Sequence, residues 1–435
     1  MNASRYRIRP GAAPRGRAVV PGDKSVTHRA LLLGALAEGE TDIRRPNRGG
    51  DCLATAAALR ALGVSIEERE RGWLVVGRGG ELAAPRGPLD LGNSGTGVRL
   101  LAGVLAGQSF AATVDGDDSL RRRPMGRIVK PLRAMGAVIE GEGDGERLPL
   151  TIRGGNLKGI AYLSPVASAQ VKSAILLAGL RAEGRTEVTE PGPSRDHTER
   201  MIAYFGGAIE REGLRASVTG GTRLRGAPVE VGGDPSSSAF FVVAALIVPG
   251  SDVVLEGVLD NRTRTAYLDV LERMGASLER EPMETDGPEP RLRLRVRSSK
   301  LRGTDVKGEE VPRLIDEIPV LAAAACVAEG VFRVRDAKEL RVKESDRIRK
   351  IAETARAFGR TVDEVEDGFD LEGGPVRGAI VESGGDHRIA MAAAVLALAA
   401  AGPSEVRDTA CVSTSLPEFL PMAAALGLGE AIEEG

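Results

Sequence analysis

The chain has 435 residues, 42% hydrophobic and 28% charged, with a formal net charge of −2 at pH 7. That length buries a sizeable core and suits two or three domains. Near-neutral charge argues against general attraction to nucleic acid or anionic membrane, and an aromatic content of 3% leaves little for stacking on bases.

In chain order, the opening stretch MNASRYRIRPG contains no apolar signal-like run, and Tyr6 to Ile8 reads as a strand. Pro21-Gly22 then introduces the first of six copies of one phrase: a small-residue loop, an Ala/Leu-rich helix, then Gly and a strand. The copies are DKSVTHRALLLGALAEG, NSGTGVRLLAGVLAG, SAQVKSAILLAGLRAEG, DPSSSAFFVVAALIVPG, DEIPVLAAAACVAEG and DHRIAMAAAVLALAAAG, spaced by about seventy residues. Between them runs a second phrase, a helix ending in Gly before a strand, as in RALGVSIE, RAMGAVIE, AYFGGAIE and ERMGASLE. One supersecondary unit is therefore used six times.

The first unit shows the pattern in detail. Asp51 to Leu62 has helical periodicity, Gly63 sits where a left-handed C-terminal residue is needed, and VSIEERERGWLVVG alternates as a hairpin. The Glu/Pro/Gly-rich segment Glu281 to Pro290 reads as a mobile hairpin loop. Cutting the chain beside Pro21-Gly22 and Gly232-Gly233 predicts a three-unit domain over 23–231. A second three-unit domain comprises 1–22 plus 232–435, with a hinge near 21–23 and 231–234.

The longest apolar run, Ile389 to Ala401, is shorter than the roughly twenty residues that span a bilayer, so a cytoplasmic protein is expected. Cys52, Cys326 and Cys411 show no paired or ligand spacing, and His28, His197 and His387 show no HExxH pattern. Neither a disulfide framework nor a metal site is expected. LGNSGTG lacks the Lys-Ser/Thr ending of a P-loop, and no GxGxxG follows a strand.

The helix starts themselves carry the chemistry. Their loops are rich in Gly, Ser, Thr, Asn and Asp, good capping residues that leave N–H groups at a positive helix end. Such ends attract phosphate and carboxylate. Basic residues fall beside them: Lys24, Arg29, Arg99, Lys172 and Arg388 in the copies, with Arg123, Arg195, Arg341, Lys343 and Arg347 in connecting loops. A near-neutral chain with cations gathered at these loops calls for a small polyanionic ligand. Glu344 lies between Lys343 and Arg347, where a carboxylate amid cations is placed for proton transfer. Asp316 opens an apolar helix and either caps it or does the same work.

The motifs PGDKSVTHRALLLGALAEGET, LGNSGTGVRLLAG, DDSLRRRPMGRIVKPLRAMGA, SPVASAQVKSAILLAGL, PSRDHTERM, ELRVKESDRI and GGDHRIAMA, in this order over essentially the whole chain, closely resemble the 3-phosphoshikimate 1-carboxyvinyltransferase (EPSP synthase) family. The resemblance implies an α/β (α+β) enolpyruvyl transferase fold, with six βαβαββ repeats, three per domain. It implies transfer of the enolpyruvyl group of phosphoenolpyruvate to the 5-hydroxyl of shikimate 3-phosphate in the shikimate pathway; no cofactor is implied, since the electrophile is made by protonation, and a monomer is expected.

Motif by motif, the resemblance gives Ser25 and Arg29 to the shikimate carboxylate. Ser168, the backbone at Ala169, Gln170, Ser194 and Arg195 go to its 3-phosphate, with Lys343 a further contact to this substrate. Lys24, Asn93, Gly95, Arg123 and Gln170 go to the phosphate of phosphoenolpyruvate, and Arg347 and Arg388 to its carboxylate. Asp316 matches the carboxylate at the shikimate hydroxyls and Glu344 the one near the reacting methylene. Lys24, Asp316 and Glu344 are thus the candidate catalytic residues. Gly95 matches the glycine that leaves room for glyphosate in sensitive members.

The chain departs from some members at Ala169, Glu339 and His197, and Thr414 or Ser415 stands where some place a phosphate-binding Lys. The sister family acting on UDP-N-acetylglucosamine typically has Asn after the motif Lys and Cys in the mobile loop. Here Ser25 and the Cys-free DGDDSLRRRPMG stand instead. An inactive anion-binding homologue is disfavoured by the intact set Lys24, Arg123, Asp316, Glu344, Arg347 and Arg388.

Overall fold

The computed structural model describes residues 4–285 and 287–435. Contacts group the chain into a middle unit, Gly22–Val231 with Asp286–Glu289, and a terminal unit, Met1–Pro21, Gly232–Thr285 and Pro290–Gly435.

Six repeat helices form the interior of the two units. The middle unit holds α1 (Lys24–Leu36), α2 (Gly95–Ala106) and α3 (Ala169–Gly179); the terminal unit holds α4 (Pro235–Ile247), α5 (Ile318–Cys326) and α6 (His387–Ala397). A helix apolar all round belongs in a core. Every residue of α4 and of α6 is buried. In the middle unit, α2 packs against α3 so closely that a Cβ on Gly103 would lie 2.3 Å from the carbonyl oxygen of Ala174. Only glycine permits that approach. In the terminal unit α4, α5 and α6 pack on one another, surrounded by the aliphatic core.

Among the described residues the strands form six four-stranded sheets. In each, a strand preceding a repeat helix runs parallel to the strand that follows one, and an antiparallel pair completes the sheet. The sheet after α2 is typical: Leu89–Asp90 beside Ala111–Asp115, then Arg147–Arg153 and Val138–Gly141. Two sheets exchange their first strand. Arg15–Val19 precedes α1 but pairs with Asp252–Leu259 after α4, and Val229–Glu230 precedes α4 but pairs with Glu40–Arg44 after α1. Arg5–Ile8 lies antiparallel between Ser404–Arg407 and Ile432–Glu434.

The outer helices end as the glycine phrase requires. Gly63, just past Gly50–Ala61, has φ +82°, and Gly136, Gly206, Gly275, Gly359 and Gly427 repeat the left-handed turn. Two expectations are corrected. Helix α5 begins at Ile318 with Glu317 in the capping position, so Asp316 does not cap it. The segment Glu281 to Pro290 is not simply a mobile loop: Ser277–Met283 pairs with Arg291–Arg297, and Glu289 is 4% exposed. Asp286 lies outside the described residues. No helix among the described residues is long and apolar enough to cross a membrane.

Candidate functional site

The sequence-predicted residues lie at the starts of the repeat helices and in the loops and outer-helix starts that follow them. In the middle unit Asp23 caps α1, accepting from the N–H of Val26 at 2.7 Å. This fixes Lys24 at the first helical position, where its ammonium donates to Asp51 Oδ2 at 3.0 Å. One turn on, Arg29 is 2% exposed and donates to Thr198 Oγ1 (2.6 Å), Ser173 Oγ (2.8 Å) and the Ser25 carbonyl (2.9 Å). Burial lowers its pKa to about 10, against the pull of Glu199 and Asp23. His28 lies between these cations on the same helix, with Nδ1 2.9 Å from Thr55 Oγ1. Burial, then Lys24 and Arg29, depress its pKa to about 3, so the ring is neutral near pH 7.

The second loop is built around Asn93. Its amide Nδ2 donates to both oxygens of Asp117, at 3.0 and 2.7 Å, and its Oδ1 accepts from Arg123 Nη2. Ser94 caps α2 through the N–H of Gly97 at 3.0 Å. Gly95 sits directly beneath the cations: a Cβ there would lie 2.9 Å from Arg99 Nη1 and 3.1 Å from Arg123 Nη1. Arg99 Nη1 donates at 2.9 Å to Gln170 Oε1, which joins the second and third loops. Ser168 and Ser194, from different loops, both bond to Glu190. Ala169, Gln170 and Arg195 are half-buried beside them.

In the terminal unit the predicted residues form one cluster around Arg347, which is 1% exposed. Its Nε donates to Asp386 Oδ2 at 2.9 Å, its Nη1 to Asp316 Oδ1 at 3.3 Å and its Nη2 to Glu344 Oε2. Burial works to lower its pKa, but Asp386, Glu344 and Asp316 outweigh it and hold the guanidinium above its ordinary value. For Asp386 burial pushes upward, and Arg347 prevails, so its pKa is lowered. Lys343 Nζ lies 3.8 Å from Asp316 and 3.4 Å from Glu339. Arg388, one position into α6, donates to the Asp316 carbonyl at 2.8 Å. Thr414 spends its hydroxyl on the Cys411 carbonyl at 2.7 Å.

Sequence reasoning named no role for Asp51, Asp117, Glu190 or Asp386, the carboxylates that hold Lys24, Asn93, the serines and Arg347. The available signal was position: Asp386 opens the sixth repeat, and Asp51 starts the helix after the first. The cluster can grip a carboxylate with guanidinium groups and present two further carboxylates for proton transfer. The loops of the middle unit offer N–H groups, hydroxyls and cations suited to phosphate.

The sequence profile described as EPSP synthase (3-phosphoshikimate 1-carboxyvinyltransferase) matches residues 8–422. A 3-phosphoshikimate 1-carboxyvinyltransferase of Geobacter metallireducens is 52% identical over 419 residues, covering 96% of this chain and 98% of the relative. The EPSP synthase structure from Acinetobacter baumannii superposes with a TM-score of 0.88 at 46% identity, covering 99% of this chain and 100% of that one. The enolpyruvyl transferase NikO from Streptomyces tendae has a TM-score of 0.80 at 16% identity, covering 100% and 99%, a likeness of fold alone. With its repeats, its sheet topology and nearly its whole length in agreement, the chain belongs to the EPSP synthase (3-phosphoshikimate 1-carboxyvinyltransferase) family.

Proposed function

We propose that this protein transfers the enolpyruvyl group of phosphoenolpyruvate to the 5-hydroxyl of shikimate 3-phosphate, releasing phosphate, as a cytoplasmic monomer. The observation that carries the reading is the Arg347 cluster: one buried guanidinium holds Asp316 and Glu344, with Lys343 and Arg388 alongside. Family membership supplies the substrates.

The chemistry is addition followed by elimination. A proton joins the methylene carbon of phosphoenolpyruvate, and the neighbouring carbon becomes electrophilic. The 5-hydroxyl oxygen bonds to that carbon and gives up its proton. The tetrahedral ketal phosphate then loses a proton from the new methyl group as its carbon–oxygen bond to phosphate breaks. Glu344 handles the proton at carbon, Asp316 takes the hydroxyl proton, and Lys24 neutralises the leaving phosphate. Asn93, Gly95, Arg123 and Gln170 hold that phosphate with Lys24. Ser25 and Arg29 hold the shikimate carboxylate. Ser168, Ala169, Gln170, Ser194 and Arg195 hold the 3-phosphate, with Lys343 as a further contact.

Arg347 and Arg388 grip the carboxylate of phosphoenolpyruvate. Arg347 carries five N–H donors, and its own carboxylates take four contacts. A substrate carboxylate held at two points displaces one of them. Release of Glu344 would both open Arg347 and free a carboxylate for the reacting carbon.

The test is phosphate release from phosphoenolpyruvate with shikimate 3-phosphate, and in parallel with UDP-N-acetylglucosamine. Release with the shikimate acceptor alone supports the reading. Release with the sugar nucleotide alone overturns it, and so does tight binding without turnover.

A further inference from the structure

Beneath the loops assigned to the 3-phosphate lies a buried charged triad that the reaction does not use. Glu190 follows the strand Arg185–Thr189 and is 5% exposed. Its Oε1 accepts the backbone N–H of Ser168 at 2.8 Å, and its Oε2 accepts the Ser194 hydroxyl at 2.8 Å. Lys172, from the second turn of α3 and also 5% exposed, places Nζ 2.8 Å from Glu190 Oε2 and 2.8 Å from Glu199 Oε1. Burial works to lower the Lys172 pKa, and Glu199 and Glu190 more than compensate, keeping it raised. Glu199 Oε2 is buried with no hydrogen-bond partner among the described residues. Three charges sit out of water with one acceptor unsatisfied, an arrangement that stability alone does not favour.

The donors that Glu190 holds, the Ser194 hydroxyl and the Ser168 N–H, belong to two of the residues assigned to the phosphate. A serine hydroxyl has a single proton. While Ser194 gives it to Glu190, an incoming phosphate meets only lone pairs there, and the Ser168 N–H is spent in the same way. Glu190 therefore occupies the subsite's donors as an internal anion. Lys172 has three N–H donors and already bonds both carboxylates, so it can hold Glu190 once the serines are given up.

We propose that Glu190 is a positioning residue that holds Ser168 and Ser194 in the free protein and competes with the substrate's phosphate for them, with Lys172 and Glu199 taking over its charge on binding. This rests on the assignment of these serines to the 3-phosphate. It predicts that part of the intrinsic affinity for the phosphorylated substrate is withheld by a neighbouring carboxylate.

The experiment is calorimetric titration of the full chain with shikimate 3-phosphate and with shikimate, which lacks the phosphate. In Glu190→Gln the dissociation constant for shikimate 3-phosphate is expected to fall by about tenfold, the scale of one hydrogen bond to a charged group, while that for shikimate stays put. In a Ser194→Ala background the same change should have much less effect, because the contested hydroxyl is gone. Equal gains with and without Ser194 would reduce the effect to general charge removal and overturn the proposal. Unchanged or weaker binding of shikimate 3-phosphate would overturn it too. Should Glu190→Gln fail to fold, Glu199→Gln lets Lys172 turn wholly to Glu190. A smaller gain confined to the phosphorylated ligand is then expected, and no gain overturns the proposal. Wild-type protein that fails to bind shikimate 3-phosphate at all would sink the functional reading itself.

Discussion

His197 and Glu289 lie 92 residues apart in sequence and meet with ring Nδ1 donating to carboxylate Oε1, both side chains almost wholly out of solvent. Glu289 belongs to the short segment grouped with the middle unit, although the strands on either side of it belong to the terminal unit. Removing the carboxylate takes a buried hydrogen bond from His197. Glu289→Ala should therefore lose about 1–3 kcal/mol of stability, read from urea unfolding followed by circular dichroism. An unfolding curve that superposes on wild type would mean the contact contributes nothing.

Glu344 tests the chemistry. Its replacement by Gln keeps the shape and removes the carboxylate proposed to carry the proton, while Asp386 and Asp316 still hold Arg347. Turnover should fall by about 10²–10⁴, the usual worth of general acid–base catalysis, with a native melting temperature. Near-normal turnover would remove Glu344 from the mechanism.

Gly95 tests the loop that carries Asn93. An added methyl would press on Arg99 and Arg123, whose guanidinium nitrogens lie 2.9 and 3.1 Å from the position of its Cβ. Gly95→Ala should raise KM for phosphoenolpyruvate by about ten- to a hundredfold, as small misplacements of binding groups do. KM for shikimate 3-phosphate should stay close to wild type. Equal changes in both KM values would point to a general disturbance of the fold.

His28 sets a pH dependence. Its folded pKa of about 3 lies below the ordinary 6.5, so between these values the unfolded chain binds a proton that the folded chain refuses. Stability is complete above pH 6.5 and falls as pH drops towards 3, by up to about 1.4 kcal/mol per unit from this group. Melting temperatures at pH 7 and pH 5 should differ less in His28→Gln than in wild type. The same difference in both would assign the acid sensitivity elsewhere.

The repeat was legible because it is local. Six Ala/Leu-rich phrases with capping loops became six buried helices, and the glycine after each outer helix took the left-handed conformation, as Gly63 does at φ +82°. The cluster of Asp316, Lys343, Glu344 and Arg347 could be anticipated as a meeting of charges. The contacts Arg347 makes with Asp386, 39 residues on, could not. Long-range pairing is invisible to periodicity for the same reason. Nothing in RGRAV or VE says that these strands change places, and a Glu/Pro/Gly-rich stretch reads as solvated until Glu289 is found beside His197. Glu190 escapes a sequence reading because a lone Glu before Pro carries no pattern. Its meaning comes from Ser168, Lys172 and Ser194 converging on it.

The placement of Arg5–Ile8 bears on how the chain is made. Its two pairing partners, Ser404–Arg407 and Ile432–Glu434, leave the ribosome about four hundred residues later, and Arg15–Val19 waits for Asp252–Leu259. The three sheets of the middle unit draw all their strands from residues between Glu40 and Glu230. That unit can close its sheets during synthesis, while the earlier-made strands stay unpaired with their edges open to other chains. The order of synthesis therefore lets the middle unit close its sheets while Arg5–Ile8 still waits for Ser404–Arg407 and Ile432–Glu434.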